Sequence, residues 1–379
     1  MNRPRPRACV LIAALLVFGC DAGPGLTTAP TPGGTALGPP GSLGEPTTAP
    51  TTAPAASNPS LDRFRLTLDT RGPVIGHDDG PRNTAYALPA AAARARDGTF
   101  VLLVVWFPID NGPPVRTVAR SDDGRAWTID KTPILTDLGV GGTEPGPIPT
   151  ALLQLDDGSW QLYGWADDPA RSPHFTSWRA RAKRLGGPWT LDGAHVLDTG
   201  QPGSWDSQTA GIRSVVRTGD ELGAWYEGSP PGSSLRGNIG YAISTDDGQT
   251  WQKYDDPATT SADLVDSDPA LRTGVCGGGT SFALFQPHVE HAPNGFEMVF
   301  GGFGRSRSQM DLFAATSLDG AHWTCGSPDA LLRASGIPGS EGIHTFSAFL
   351  LGDGRMGLLI ESLGEGHSDI WFATVDPIG

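Results

Sequence analysis

Three acids stand at matching places along this chain of 379 residues: Glu144 ahead of the Asp157-Gly158 turn, Asp206 ahead of Gly219-Asp220, and Glu341 ahead of Asp353-Gly354. The interval from acid to turn glycine is the same in all three to within one residue. Equivalent positions in repeated units converge when the units surround a common axis, and carboxylates confined together push their pKa values apart. One is then held protonated and another ionised. That is the division of labour that cleavage of a glycosidic bond requires, with an acid for the leaving oxygen and a partner that activates water or attacks the sugar. The competing assignment is that these acids cap turns or form the polar rim of a wet channel.

The elements that must position them recur five times, at intervals of roughly sixty residues. In each copy an inner apolar strand leads to a glycine-containing turn and a second apolar strand. These second strands are TFVLLVVWF, SWQLYGW, ELGAWYEG, GFEMVFGG and RMGLLIES. Asp-Gly and Asn-Gly between apolar runs predict two-residue type I′ hairpins. The third strands carry aligned alanines, Ala119, Ala180, Ala242, Ala315 and Ala373. Three of them are followed by SDDGRAW, STDDGQTW and SLDGAHW, in which the Asp caps a tight turn and the Trp covers the gap between neighbouring sheets. Antiparallel units that cannot cover their own faces predict an all-β, five-bladed β-propeller of four-stranded blades. The last copy has no fourth strand after it. Arg63 to Ile75 supplies one, so the N-terminal strand is expected to close the ring and remove a free edge.

Composition agrees. With 52 Gly and 34 Pro the chain is too rich in turns for a helical bundle. A net charge of −14 excludes a nucleic-acid partner. Arg3, Arg5 and Arg7 precede an apolar run too short to span a bilayer, which ends in LVFGC. Residues 1–19 read as a lipoprotein signal peptide. Cys20 is the expected lipidation site, the other reading being an ordinary secretory signal with a chance cysteine. Residues 20–60, with TTAP three times, form a linker that cannot bury a core, and 61–379 form the propeller. The protein is therefore expected in the bacterial cell envelope, extracytoplasmic, held at the inner or outer membrane through its lipid alone, and monomeric. In that oxidising compartment Cys276 and Cys325 are the pair left for a disulfide, the alternative being two buried thiols.

On GSWDSQTAGIRSVVRTGDELGAWYEG and NIGYAISTDDGQTWQKY, the region 61–379 resembles the five-bladed propeller glycoside hydrolases, the arabinanase, xylosidase, invertase and levansucrase relatives. STDDGQTW also matches the Asp-box of sialidase-type repeats. The resemblance implies a funnel at the axis holding an Asp base or nucleophile, a Glu acid and a third carboxylate, each from the start of an inner strand. It gives those places to Glu144, Asp206 and Glu341. The first unit departs from the pattern: HDDGPRNTAYALP puts Arg82 at the offset of the base and Asp79 earlier, so both become candidates for substrate binding. His288 and His344 fall within inner strands, where such relatives at times use a His to hold a metal or water. Their unshared spacing favours a substrate contact, and neither metal nor cofactor is expected. Trp106, Trp165, Trp205 and Trp225 are available to stack on sugar rings or to fill the core.

The leading expectation is a tethered carbohydrate-active protein, a glycoside hydrolase with a carbohydrate substrate. One alternative is a sugar- or protein-binding propeller without catalysis, favoured if the loops GVGGTEPG and GVCGGGTS close the funnel. The other is a sialidase-like exoglycosidase, which would need arginines such as Arg82, Arg213 and Arg305 around a ligand carboxylate, and a Tyr nucleophile.

Overall fold

The computed structural model describes residues 63–377 apart from 82, 111, 137, 141–147, 169, 171–173, 233–236, 265 and 306–308. The signal peptide, Cys20, the linker, Arg82 and Glu144 lie outside the described residues. Among the described residues all regular structure is strand or short 3-10 turn, with no α-helix.

After β1 (Phe64–Leu68), the strands fall into five antiparallel units. The first holds β2 (Thr84–Arg94), β3 (Phe100–Pro108), β4 (Val115–Ser121) and β5 (Thr128–Asp130). The second holds β6 (Ile148–Gln154), β7 (Trp160–Asp167), β8 (Phe175–Ala182) and β9 (Thr190–Leu197). In the third, β10 (Thr209–Thr218), β11 (Glu221–Ser229) and β12 (Asn238–Ser244) are followed by β13 (Gln252–Lys253) and β14 (Pro269–Leu271), both paired to β12. The fourth holds β15 (Ala283–Ala292), β16 (Gly295–Phe303), β17 (Asp311–Ser317) and β18 (Trp323–Cys325). The last has β19 (Gly342–Leu350), β20 (Met356–Gly364) and β21 (His367–Pro377). Its fourth strand is β1, which pairs antiparallel with β21 from Phe64 opposite Pro377 to Leu68 opposite Ala373.

The hairpin turns differ from the type I′ expectation. In Asp97-Gly98, Asp157-Gly158 and Asp353-Gly354 only the glycine has a positive φ, of 92°, 83° and 85°. The Gly98 N–H donates to Ala95 O and the Ala95 N–H to Thr99 O, a longer loop ending in a left-handed glycine. The Asp97 carboxylate accepts the Thr99 N–H at 3.0 Å. The aspartate thus serves as an acceptor within the turn and does not itself adopt a left-handed backbone.

Each interface between consecutive units is one apolar cluster. Ala91, Leu103, Leu162 and Trp178 join the first to the second; Tyr163, Ile212 and Tyr226 the second to the third; Trp225, Ile239, Met298 and Phe300 the third to the fourth; Val299, Leu312, Phe346 and Leu358 the fourth to the last. Trp106, Leu102, Phe349 and Phe372 then join the last to the first, so the cycle is closed. The five repeat alanines fall one to a cluster, each with 0% exposure. Anything larger there would push two sheets apart, because interiors are packed without spare volume. The three Ser-x-Asp turns share one construction: Ser121, Ser244 and Ser317 accept the N–H of Gly124, Gly248 and Gly320. Asp246 accepts the N–H groups of Gln249 and Thr250. Bonds of this kind, the Thr250 hydroxyl foremost, hold Asp246 down at about 2. Trp127, Trp251 and Trp323 pack onto separate inter-unit clusters.

Cys276, ahead of β15, is disulfide-bonded to Cys325 at the end of β18, with a Cα–Cα distance of 5.4 Å. The bond ties the entry of the fourth unit to its outer strand. With the two cysteines 49 residues apart, chain-entropy reasoning gives a contribution of about 4 kcal/mol. Urea unfolding with and without a reductant should show a loss of that order; equal midpoints would contradict it.

Candidate functional site

Each inner strand slips register against its partner at a corresponding point. The slips lie between Pro89 and Ala91, Pro149 and Ala151, Ile212 and Ser214, Phe285 and His288, and Ile343 and Thr345. A bulge leaves its extra residue unpaired and re-aims its side chain. One residue skipped at each point, Ala90, Thr150, Arg213, Gln286 and His344 in turn, lines a single cavity of about 110 Å³ surrounded by the inner strands. Gln286 takes a positive φ of 51° to do so. A second cavity, of about 330 Å³, is lined further along the same strands by Ala92, Leu152, Val215, Glu290 and Leu350. Thr150, Arg213 and His288 line both and stand between them.

Aromatic side chains wall the upper cavity, with Trp165 and Phe175 edge to face at 5.1 Å. The Arg213 guanidinium lies 5.4 Å from the Trp165 ring centre. Arg213 Nη2 donates to Glu227 Oε2 at 2.8 Å, and the Gln286 N–H donates to Glu227 Oε1 at 2.5 Å. Across the cavity, His344 Nδ1 is 2.7 Å from Glu361 Oε2, and the Ser368 hydroxyl donates to Glu361 Oε1 at 2.6 Å. Three polar atoms of lining residues, Arg213 Nε, Trp165 Nε1 and Gln286 Oε1, are buried without a hydrogen-bond partner among the described residues. Two donors and an acceptor thus lie unpartnered in the wall of the cavity, beside its aromatic faces.

The two histidines are shifted in opposite directions. Burial works against a charge on His344, but the Glu361 carboxylate and its hydrogen bond outweigh it, so His344 is raised above 6.5. Stability from this charged pair is complete below the unfolded value and is lost as pH rises through the raised folded value. His288 is pushed down to about 3 by burial. Its Nε2 lies 2.7 Å from Phe346 O, which fixes a neutral ring protonated at Nε2. Stability from neutral His288 is complete above about 6.5 and is lost as pH falls toward about 3. His288→Gln, which keeps a donor but does not titrate, should flatten stability between those pH values in a series of urea midpoints. An unchanged acid limb would exclude this role.

Of the residues expected from sequence, the structure brings His288 and His344 into the cavity. Asp206 has 0% exposure and does not line it. It is paired with Lys253 Nζ at 2.5 Å and accepts from the Tyr226 hydroxyl at 3.1 Å. Both partners belong to the third unit, on β11 and β13, so this carboxylate points into that unit. Glu341 is exposed, outside the lining, with its N–H donated to Leu363 O. Asp79 is exposed and caps its own turn by accepting the Gly76 N–H at 2.7 Å. Trp165 lines the cavity, whereas Trp106, Trp205 and Trp225 are core. Of the arginines considered for a ligand carboxylate, Arg213 lines the cavity and Arg305 does not. Glu144 lies outside the described residues, just ahead of Ile148, which lines the cavity. Glu227 and Glu361 were missed. Their signal is a Glu in the same register, to within one residue, of two second strands, ELGAWYEG and RMGLLIES.

No protein-family model and no curated protein sequence matches the chain. Solved structures are similar. One, described as a BT0996 complex with RGII, is 17% identical with a TM-score of 0.57, over 82% of this chain and 93% of its own. A glycosyl hydrolase from Bacteroides ovatus gives 13%, 0.58, 84% and 95%. Zg3597, a family 117 glycoside hydrolase of Zobellia galactanivorans, gives 15%, 0.57, 83% and 91%. The fold is that of the propeller glycoside hydrolases. At such identities the likeness extends to the fold alone, since one propeller scaffold carries many activities.

Proposed function

We propose that this protein is a carbohydrate-active enzyme of the glycoside hydrolase type, displayed outside the cytoplasm on a lipidated Cys20, with the upper axial cavity as its sugar site. The observation that carries the reading is the ring of five bulge residues around a cavity with aromatic walls and the unpartnered Arg213 Nε, Trp165 Nε1 and Gln286 Oε1. Sugars present hydroxyls to such atoms and C–H faces to such rings. Its proton donor is His344: with Nδ1 engaged by Glu361, the charged ring has its Nε2 proton to give to the leaving glycosidic oxygen. Glu227, held by Arg213, orients substrate hydroxyls. Glu144 remains the candidate from sequence for the carboxylate that activates water, while Asp206 and Glu341 support the scaffold. That similar folds include one described as an RGII complex is consistent with a polysaccharide ligand.

A second reading, sugar binding without turnover, is favoured by one observation: Glu227, Glu361 and Asp206 are each already engaged by a cation or hydrogen-bond donors. A panel of aryl glycosides and oligosaccharides, assayed beside a glycan-binding array, separates the two. Turnover that His344→Gln abolishes supports the enzyme. Binding that Arg213→Ala weakens, with no turnover across the panel, replaces it by the binder.

A further inference from the structure

A second cluster of chemistry-bearing side chains lies outside the axial cavity, where the ring closes. His367 and Asp369 belong to β21 of the last unit, and His77 to the short turn His77–Asp79 that leads into β2 of the first. Their ligand atoms lie within 4.8 Å of one another. His77 Nδ1 is 2.8 Å from Asp369 Oδ1, and His367 Nε2 is 3.5 Å from Asp369 Oδ2. The imidazole rings face each other with centroids 4.4 Å apart. We propose that His77, His367 and Asp369 form a divalent transition-metal site, suited to Zn²⁺, that staples the last unit to the first.

The ligand set argues for the metal class. Two imidazoles and a carboxylate suit zinc and its neighbours, whereas calcium and magnesium take oxygen ligands. A tetrahedral ion with bonds of about 2.0–2.1 Å sets its ligand atoms roughly 3.3 Å apart. The 2.8 and 3.5 Å separations, each to a different oxygen of Asp369, lie on either side of that value, and all three ligand atoms fall within 4.8 Å. Three protein ligands leave the fourth position to water.

The backbone around the cluster is already fixed. The His77 N–H donates to Asp369 Oδ1 at 2.8 Å, the Gly76 N–H to Asp79 Oδ2 at 2.7 Å, and the Thr84 hydroxyl to His77 O. Beside it, the Val74 N–H donates to Ile370 O and the Ile370 N–H to Ile75 O. Strand alternation puts His367 and Asp369 on one face of β21 and Ser368 on the other, where Ser368 meets Glu361. The metal site thus stands back to back with the His344–Glu361 pair while sharing no ligand with it.

The test uses the full-length chain stripped of metal with a chelator, titrated with ZnCl₂ by calorimetry and melted with and without Zn²⁺. One equivalent should bind and the melting temperature should rise with zinc concentration. His367→Ala, at a partly exposed ring, should weaken binding by at least about tenfold and abolish the thermal shift, as should Asp369→Asn. His322→Ala, which removes a separate His–Asp pair, should change neither. Absence of saturable zinc binding, or binding unaltered by both ring-closure variants, overturns the proposal. Tighter binding of Ca²⁺ than of Zn²⁺ overturns the ligand assignment.

Discussion

Glu361→Gln should lower kcat/KM on any glycoside the protein turns over by about 10²–10⁴-fold, the range that positioned proton transfer contributes. The same change should move the alkaline limb of the pH–rate profile toward lower pH. The effect passes through His344: its proton is retained above the ordinary histidine value because of the Glu361 charge and hydrogen bond, and an amide supplies no charge. His344→Gln should match the rate loss and remove the limb altogether. Because Glu361 is only 1% exposed and also accepts from Ser368, melting must be measured beside activity. A rate loss with an unshifted limb would make Glu361 a structural residue and leave His344 without a catalytic assignment.

Removing residues 63–75 should cost at least about 4 kcal/mol of stability and make the protein self-associate. Ile75, 1% exposed, contributes roughly 2 kcal/mol by burial alone, and Phe64, Leu66 and Leu68 pack onto the cluster between the fourth and last units. The backbone loss is as consequential. β21 would present an unpaired edge from Ala373 to Pro377, a template for pairing with another chain. Urea unfolding gives the first quantity and size-exclusion chromatography the second. A monomeric truncated protein with an unchanged midpoint would show that the ring is held by its apolar interfaces without this strand.

The propeller was legible because its marks are local and repeated. The five alanines in third strands each fill one inter-unit cluster, and Arg63 to Ile75 reads as a strand without a partner in its own unit. The site was less legible because a bulge changes register without changing composition. Counting back from the turn glycines assumes regular inner strands, yet each slips at a corresponding point, and a residue skipped there lines the cavity. Asp206 shows the difference: its interval from Gly219 matches those of the other acids, but its carboxylate is engaged by Lys253 and Tyr226 and lies outside the cavity lining. Counting forward into the second strands, which are regular, would have found Glu227 and Glu361. His288 and His344 emerged because the resemblance points to a His within an inner strand, a cue that does not depend on register.

Thr150, Arg213 and His288 each line both axial cavities, so the two share a wall of three side chains. A change of side-chain volume at any of the three is therefore felt in both cavities at once.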